Sequence, residues 1–366
     1  MLQASIDQVT LVYKFLSENE GVGGHTFEEC CSNFISLLDE KLKLSDNLGE
    51  LTIAAGRNGY SQVFLFDDNN SISYNENRAD MGIQFYFSAT GLDNFLSSIG
   101  ITFYNFMKSL KQFSDDLKDE LAGEWSISRC DVALDFIDEI SSEEFNQLSE
   151  KLNQKNSSIE IKKIHPLSYN EVKNRTQKIK VISESGEAQT LYIGSRSGDI
   201  FVRFYDKKRQ LIDTGKSFEE AMNFDSFYRF EVEFKLKDKE QRRELLEQIV
   251  SHDADESFVS WCYKVVTDKM RFYENGKMMR LTELMLANVG QAGTAVLKQF
   301  NALNFDYDKS KAYFLYGDSG LQSLLYKIRI LEGEAEMKKF LEDIMKYQIE
   351  QYQPTEKVLT YVNKQK

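Results

Sequence analysis

Proline is almost absent, with two in 366 residues. That scarcity excludes Pro-rich linkers and argues against long disordered tails. Cysteine and histidine are also sparse. The four cysteines (Cys30, Cys31, Cys130, Cys262) form no C-x-x-C pair, and the three histidines (His25, His165, His252) are scattered. A zinc site and a disulfide framework are both disfavoured, and buried free thiols are expected. No apolar run approaches a membrane span, and the opening "MLQASIDQVTLVYKF" lacks the charged-then-apolar layout of a signal peptide. The expectation is a cytoplasmic chain with no membrane partner.

The composition is that of a globular protein: 42% apolar and 28% charged residues, in a chain long enough for two or three domains. A net charge of −13 opposes nucleic-acid binding at first sight, but the charge is unevenly spread. Residues 151–180 hold eight Lys/Arg against two Glu, and residues 181–209 five against four, so this stretch carries +7. An acidic body with one basic stretch can still grip a phosphate chain, because affinity follows local contacts. Lys162, Lys163, Lys173, Arg175, Lys178, Lys180, Arg196, Lys208 and Arg209 are the candidate nucleic-acid contacts. A merely solvated basic face is the alternative.

The pattern of elements repeats. "SIDQVTLVYKF" (residues 5–15) alternates as a strand. Residues 26–44 read as a helix with a Thr-x-x-Glu capping box at Thr26 and Glu29. "ELTIAAGR", "YSQVFLFDD" and "MGIQFYFSA" read as strands, and a helical segment follows. Further on, "WSISRCDVALDFID" (residues 125–138) is a strand and "SSEEFNQLSEKLNQK" a helix capped by Ser141 or Ser142. "QTLYIGSR" and "GDIFVRFYDKK" form a hairpin, "FYRFEVEFKLK" is a strand, and "DKEQRRELLEQIVS" opens a helix. Both halves read β-α-β-β-β-α. The expected fold is α+β: two tandem RRM-like antiparallel sheet/helix sandwiches, an internal duplication, followed by an α-helical C-terminal domain. The expected bounds are 1–120, 121–238 and 239–366, with "FVSWCYKVVTDKMRFY" among the C-terminal helices.

The two copies differ in polar residues. "RCDVALDF" places Asp131, Ala133 and Asp135 on one face, and "RFEVEFK" does the same for Glu231 and Glu233. The hairpin strand alternates Phe201, Arg203, Tyr205 and Lys207 against Val202 and Phe204. In the first copy Gln8 and Val12 stand where the acids belong, Phe85 and Phe87 replace the glutamates, and Phe66 aligns with Tyr205. Carboxylates grouped on neighbouring strands repel one another. They stay ionised together around a hard cation, and oxygen ligands suit Mg²⁺ or Mn²⁺. A cation beside a phosphodiester polarises the phosphoryl oxygens. The Tyr205 phenol can then attack phosphorus, giving a phosphotyrosine link and a free 3′-hydroxyl. An unperturbed phenol has a pKa near about 10. Arg203 and Lys207 are expected to lower it and hold the phosphate, with one Asp or Glu taking the proton. Taken singly, a strand tyrosine packs and an acidic strand face is solvated; the combination in one copy carries the chemical reading.

"SRCDVALDF", "TLYIGSRSGDIFVRFYDKK" and "YRFEVEFK", in this order, resemble the Rep_trans family, the rolling-circle replication initiators of small staphylococcal-type plasmids with related relaxases of conjugative elements. The upstream "MGIQFYFSATGLDNF" resembles the family's "MG…FSG-x-G" segment, so the likeness covers roughly residues 81–237. The resemblance implies that Tyr205 nicks one strand at an origin and that Asp131, Asp135, Glu231 and Glu233 are the candidate metal-binding residues. It implies a homodimer, recruitment of a host helicase, and origin recognition by the region after Lys239. Cys130 stands where Ile or Leu is usual, and the acidic total is unusual for an origin binder. The chain has no His-hydrophobic-His motif, which separates it from the other class of tyrosine nickases and fits metal binding by carboxylates.

The reading is a metal-dependent nickase and strand transferase acting on double-stranded and nicked single-stranded origin DNA. A relaxase with the same chemistry at a transfer origin is the runner-up. The first strand beginning by Ser5 favours replication, since such relaxases often carry an extra domain ahead of it. A non-catalytic DNA-binding regulator and a water-activating carboxylate–metal nuclease are the rivals from other classes.

Overall fold

The computed structural model describes residues 1–16, 25–117, 121–165, 168–174, 177–184, 187–214, 221–290 and 320–354. In chain order the strands are β1 (Leu2–Phe15), β2 (Thr52–Ala54), β3 (Gln62–Leu65), β4 (Ser71–Tyr74), β5 (Ile83–Phe87), β6 (Gly123–Ile137) and β7 (Ile159–Ile164). They continue with β8 (Glu171–Lys173), β9 (Ile179–Glu184), β10 (Glu187–Gly194), β11 (Ile200–Asp206), β12 (Phe227–Lys235), β13 (Arg271–Glu274) and β14 (Lys277–Met278). The helices that matter below are α1 (Phe27–Leu42), α2 (Leu44–Asn47), α3 (Ala89–Ile99), α4 (Phe103–Asp116), α5 (Ser142–Asn153), α6 (Lys207–Thr214), α7 (Lys239–Val250) and α8 (Asp255–Lys269). Then come α9 (Arg280–Ala287), α10 (Gly320–Leu331) and α11 (Glu334–Glu350).

The protein is α+β, built on a ten-stranded antiparallel sheet ordered β2-β3-β4-β5-β1-β6-β12-β11-β10-β9. The long strands β1 and β6 pair along almost their full length at its centre. Outward from that pair the order matches on both sides: β5, β4, β3, β2 on one and β12, β11, β10, β9 on the other. Period-two alternation sends Leu11, Tyr13, Val132, Leu134, Val202, Phe204, Phe230 and Val232 to the helix-covered face, where all are buried. They meet Phe34 and Leu38 of α1, Phe95 of α3, Phe106 of α4, Phe145 of α5 and Ile249 of α7. Tyr13 stacks on Phe34 with ring centroids 4.0 Å apart. The predicted capping box of Thr26 with Glu29 is formed, and Ser141, not Ser142, caps α5, in a second box with Glu144.

Two glycines of the "MG…TG" segment are required by geometry. Gly82 enters β5 at φ +71, where a Cβ would lie 2.3 Å from the Tyr13 carbonyl oxygen. A Cβ on Gly91 would collide with the Asn70 side chain, which accepts the Ser88 amide at 3.0 Å.

Several elements depart from the sequence expectation. β4 is four residues of "SISY", too short to show a pattern, and β7 to β9 fall in the basic stretch, where the alternation is short (Ile159-Glu160-Ile161-Lys162, Ile179-Lys180-Val181) and does not by itself mark a strand. The C-terminal part is not wholly helical. α8 stops at Lys269 and the chain turns into the β13–β14 hairpin, whose Asn275-Gly276 corner has positive φ at both residues. That hairpin joins β7 and β8 in a second sheet, ordered β14-β13-β7-β8. Strands from 121–238 thus pair with strands from beyond Lys239. Among the described residues, no helix is long and apolar enough to cross a membrane.

Candidate functional site

The face of the large sheet that carries Tyr205 is polar. Cross-strand partners share a face, so the register reads directly as a map of this surface. One rung runs Tyr205–Arg229–Asp135, the next Arg203–Glu231–Ala133, the next Phe201–Glu233–Asp131. Gln8 of β1 lies beside Asp131 and completes that last rung. The sequence expectation that these acids share one side of two adjoining strands holds.

Guanidinium groups tie the acids together. Arg129 binds Asp131 through both oxygens at 2.9 and 2.7 Å and reaches Glu233 at 2.9 Å. With its amide oxygen turned toward it, Gln8 accepts from the same guanidinium at 3.1 and 3.0 Å. Arg203 pairs with Glu231 and lies 3.7 Å from Asp131. Arg229 grips Asp135 at 2.7 and 2.8 Å and Asp7 at 2.6 Å. The Lys235 ammonium is 2.5 Å from Glu233. Mutual repulsion is therefore relieved by arginine, which the sequence argument assigned wholly to a metal.

Oxygen donors of this kind suit Mg²⁺ or Mn²⁺. Among the described residues, however, no three His, Cys, Asp or Glu side chains converge as a cluster able to hold an ion. Asp131 and Glu231 are buried, at 0% and 2% exposure, and each already faces a guanidinium. The donor chemistry fits a hard cation, but the Glu231 carboxylate is paired with Arg203 in this arrangement.

Tyr205 is half-buried on the polar face, and among the described residues no side chain hydrogen-bonds its hydroxyl. The Lys207 ammonium sits 5.9 Å from the ring centroid. Burial pushes the phenol up to about 12. Of the neighbouring charges Arg229 does most to pull it back, Asp7 opposes that, and Arg203 comes next. Arg203 and Lys207 were expected to bring the phenol below its ordinary value. The structure corrects this, because desolvation outweighs them and the foremost cation is Arg229. Burial also lowers Lys207, with Arg229 adding to the effect. Asp131 is raised by burial and opposed chiefly by Arg129.

The first half of the chain reaches this site, which the sequence reading did not foresee. Asp7 sits at a β-bulge of β1, between Ile6 and Gln8. Asp93 of α3 is raised by burial and by Asp7, while Arg229 and Lys207 act against the shift. Arg129 and Arg229 were legible, since each stands two residues from an acid already singled out. A bulge has no signature in a single strand, so Asp7 was not. The alignment of the halves also needs correcting. Phe85 and Phe87 face the core, leaving Gln84 and Tyr86 on the polar side of β5. Phe66 follows β3, whereas the strand next to β5 is β4.

The expected nucleic-acid contacts fall in separate places. Lys162, Lys163 and Lys173 are on the small sheet; Lys173 is 3.1 Å from Glu160, and the Lys162 ammonium stands 4.1 Å above the Tyr273 ring. Lys178 and Lys180 lie at and on edge strand β9, and Lys180 pairs with Tyr192, the neighbour of Arg203. Arg196 sits in the β10–β11 turn, 5.8 Å from the Phe201 ring, which itself stacks on Tyr192. Lys208 donates to the Phe224 carbonyl at 2.6 Å, and Arg209 pairs with Glu184. Arg175 lies outside the described residues.

A model of the Rep_trans family, described as replication initiation factor, matches residues 125–341. The chain belongs to this family. Within this replication initiation factor the matched span opens in β6 and includes Tyr205, both acidic strands, Arg129 and Arg229; Asp7 and Asp93 lie before it. No curated protein matches the chain. Among solved structures it is similar to the rolling circle replication initiator protein from Geobacillus stearothermophilus, at TM-score 0.50 and 19% identity. That likeness covers 82% of this chain and 100% of the other, and it is a likeness of fold.

Proposed function

We propose that this replication initiation factor is a rolling-circle initiator that nicks and rejoins origin DNA through Tyr205. The observation that carries the proposal is the rung Tyr205–Arg229–Asp135, a phenol set opposite a cation on the polar face of the sheet. In the proposed step the Tyr205 oxygen bonds to phosphorus and the P–O3′ bond breaks. The 5′-phosphoryl end of the downstream fragment remains on the tyrosine, the phenol gives up its proton, and the 3′ oxygen of the upstream fragment takes one. Arg203 of β11 and Lys207, which opens α6 rather than ending the strand as the sequence suggested, hold the non-bridging oxygens, and Arg229 stabilises the phenolate. Asp131, Glu231 and Glu233, with Asp135 nearest the tyrosine, are the carboxylates through which Mg²⁺ or Mn²⁺ would bind; the ion would polarise the phosphoryl group.

The matching strand order on either side of β1 and β6 supports an internal duplication in which the second half kept the nucleophile. On that reading 1–120 and 121–238 are the two units and 239–366 recognises the origin. The exposed apolar side chains of α10 and α11, Ile330, Leu331, Met345 and Ile349 among them, support a homodimer there. Action in the cytoplasm with a host helicase belongs to the same proposal.

Incubation with an oligonucleotide carrying the nick site and Mn²⁺, followed by a denaturing gel, tests the chemistry. A slow-migrating protein–DNA adduct is expected, and Tyr205→Phe removes it. Cleavage that yields free 5′-phosphate without adduct, or an undiminished adduct with Phe, sinks the proposal.

A further inference from the structure

A cavity of about 340 Å³ lies where the first turn of α7 meets β1, β5 and β6. Three of its lining residues, Val12, Gln84 and Ser126, are mutual register partners two residues on from the Thr10–Tyr86 pair. The cavity therefore opens on the same sheet face as Tyr205. Asp135 marks the level of Tyr205 on β6, and Ser126 is nine residues away along that strand. At a rise of about 3.3 Å per residue the separation is about 30 Å.

The lining is cationic, and its acids are spoken for. Asp80 is held by Arg78 at 2.7 and 2.9 Å, and Glu124 pairs with Arg243. Asp238, which begins the helix, accepts from the Glu240 and Gln241 amides at 3.0 and 3.1 Å. Arg242 and Lys239 remain. Among the described residues neither has a carboxylate partner. The Arg242 guanidinium makes one hydrogen bond, from Nε to the Leu236 carbonyl at 2.6 Å, which leaves both Nη groups for the cavity that the residue lines. Burial pulls its pKa down. Tyr60 and Asp238 oppose that shift without overcoming it, so the cation remains incompletely compensated, and an anion brought to it recovers part of the cost. The planar fork of a guanidinium matches two oxygens of a phosphate, and a neighbouring ammonium adds a point charge.

We infer that this cavity is a phosphate site, with Arg242 its principal ligand and Lys239 the second, and that it holds a backbone phosphate of the single strand leading away from Tyr205. The occupant, though not the phosphate chemistry, rests on the function proposed above. Arg129, Arg203 and Tyr86 lie on the same face between the two points. A strand of this reach is within the roughly 4–16 nucleotides that a single-strand groove holds.

The test uses the full-length protein, fluorescein-labelled oligothymidylate of twenty nucleotides, and inorganic pyrophosphate. Arg242→Gln is expected to weaken oligothymidylate binding about tenfold, and to reduce the slope of log K against log salt by about 0.7, the share of one single-strand phosphate contact. Lys239→Gln, at an exposed position, moves both in the same direction by less. Arg242→Lys keeps the slope and guards against a folding defect in the glutamine variant. Binding is measured with chelator and without metal, where no nick forms, so failure of the nicking chemistry is read separately. Pyrophosphate heat in calorimetry that disappears in Arg242→Gln, with DNA binding untouched, upholds a phosphate site but overturns the strand as its occupant. If both variants bind oligothymidylate and pyrophosphate as wild type does, the inference is wrong.

Discussion

Arg229 stands directly across the β11–β12 ladder from Tyr205, and the carboxylates that clasp its guanidinium come from two other strands, Asp135 from β6 and Asp7 from β1. The cation beside the phenol is thus a fixture of the sheet, held by residues from both halves of the chain. All three side chains are mostly buried, at 15%, 9% and 13% exposure for Arg229, Asp135 and Asp7.

Removing that cation strands two acids. Arg229→Gln is expected to cost about 3–5 kcal/mol, the usual penalty for breaking a buried ion pair from one side. Urea unfolding measures the loss. In the fraction that stays folded, adduct formation falls as well, because the phenolate loses the cation that acts on it most strongly. A variant of unchanged stability contradicts the burial argument.

The pH dependence follows from the phenols. Burial holds Tyr205 and Tyr60 neutral up to about 12, while the same groups in an unfolded chain ionise near about 10. Their contribution to stability is therefore complete below pH 10 and is lost as pH rises toward 12. Circular dichroism is expected to show a flat urea midpoint from pH 7 to 9 and a decline above pH 10. The nicking rate moves the other way. It rises up to about tenfold per pH unit through the neutral range, because the phenolate is the scarce species. A rate that levels off below pH 8 would point to a different nucleophile.

The polar face was legible because strand alternation needs no tertiary information: Asp131, Asp135, Glu231, Glu233, Arg203 and Tyr205 fall on one side by parity alone. What parity cannot supply is a partner on another strand. Arg229 faces Tyr205 only once the β11–β12 register is set, and Asp7 reaches Arg229 only because β1 bulges. The capping box at Thr26 and a serine cap for α5 were legible for a similar reason, being local in sequence. The β13–β14 hairpin was missed although Asn275-Gly276 marks it, because the apolar spacing of α8 continues smoothly into "RFY". β7 to β9 lie in a lysine-rich stretch, where only three or four residues alternate in β7 and β9 before the pattern breaks, too few to mark a strand beside the charge.

The proposed metal binding would have a particular cost here. Arg203 pairs with Glu231 and approaches Asp131, so an ion bound there would compete with a guanidinium. Glu231→Gln is expected to raise the Mn²⁺ concentration for half-maximal nicking at least tenfold, by removing a charged donor. Oligothymidylate binding without metal stays as it was. Nicking assays across a Mn²⁺ series, with and without chelator, read this directly; an unchanged half-maximal concentration takes Glu231 out of the ligand set.

Gly82 offers a test of the scaffold that supports the site. Its φ of +71 is one that residues with a Cβ adopt reluctantly, and the added atom would press on the carbonyl of Tyr13, whose ring packs against Phe34 in the core. Gly100 has nearly the same angle, φ +69, with nothing within 4 Å of the position a Cβ would take. Gly100→Ala therefore reports backbone strain alone, about 1–2 kcal/mol. Gly82→Ala adds a collision with main chain that can be relieved only by shifting β1 or β5, at a further cost of about 1–3 kcal/mol. Gly82 also has ψ −167, a region essentially closed to residues with a Cβ, whereas Gly100 at ψ 30 is in the left-handed helical region, so the difference between the two urea midpoints reports the collision and that extra backbone strain together. Equal losses would mean that β5 enters the sheet with slack beside Tyr13. A larger loss at Gly82, accompanied by slower nicking, would tie the close seating of β5 on β1 to the position of the Asp7 bulge, and through it to Arg229 and Tyr205.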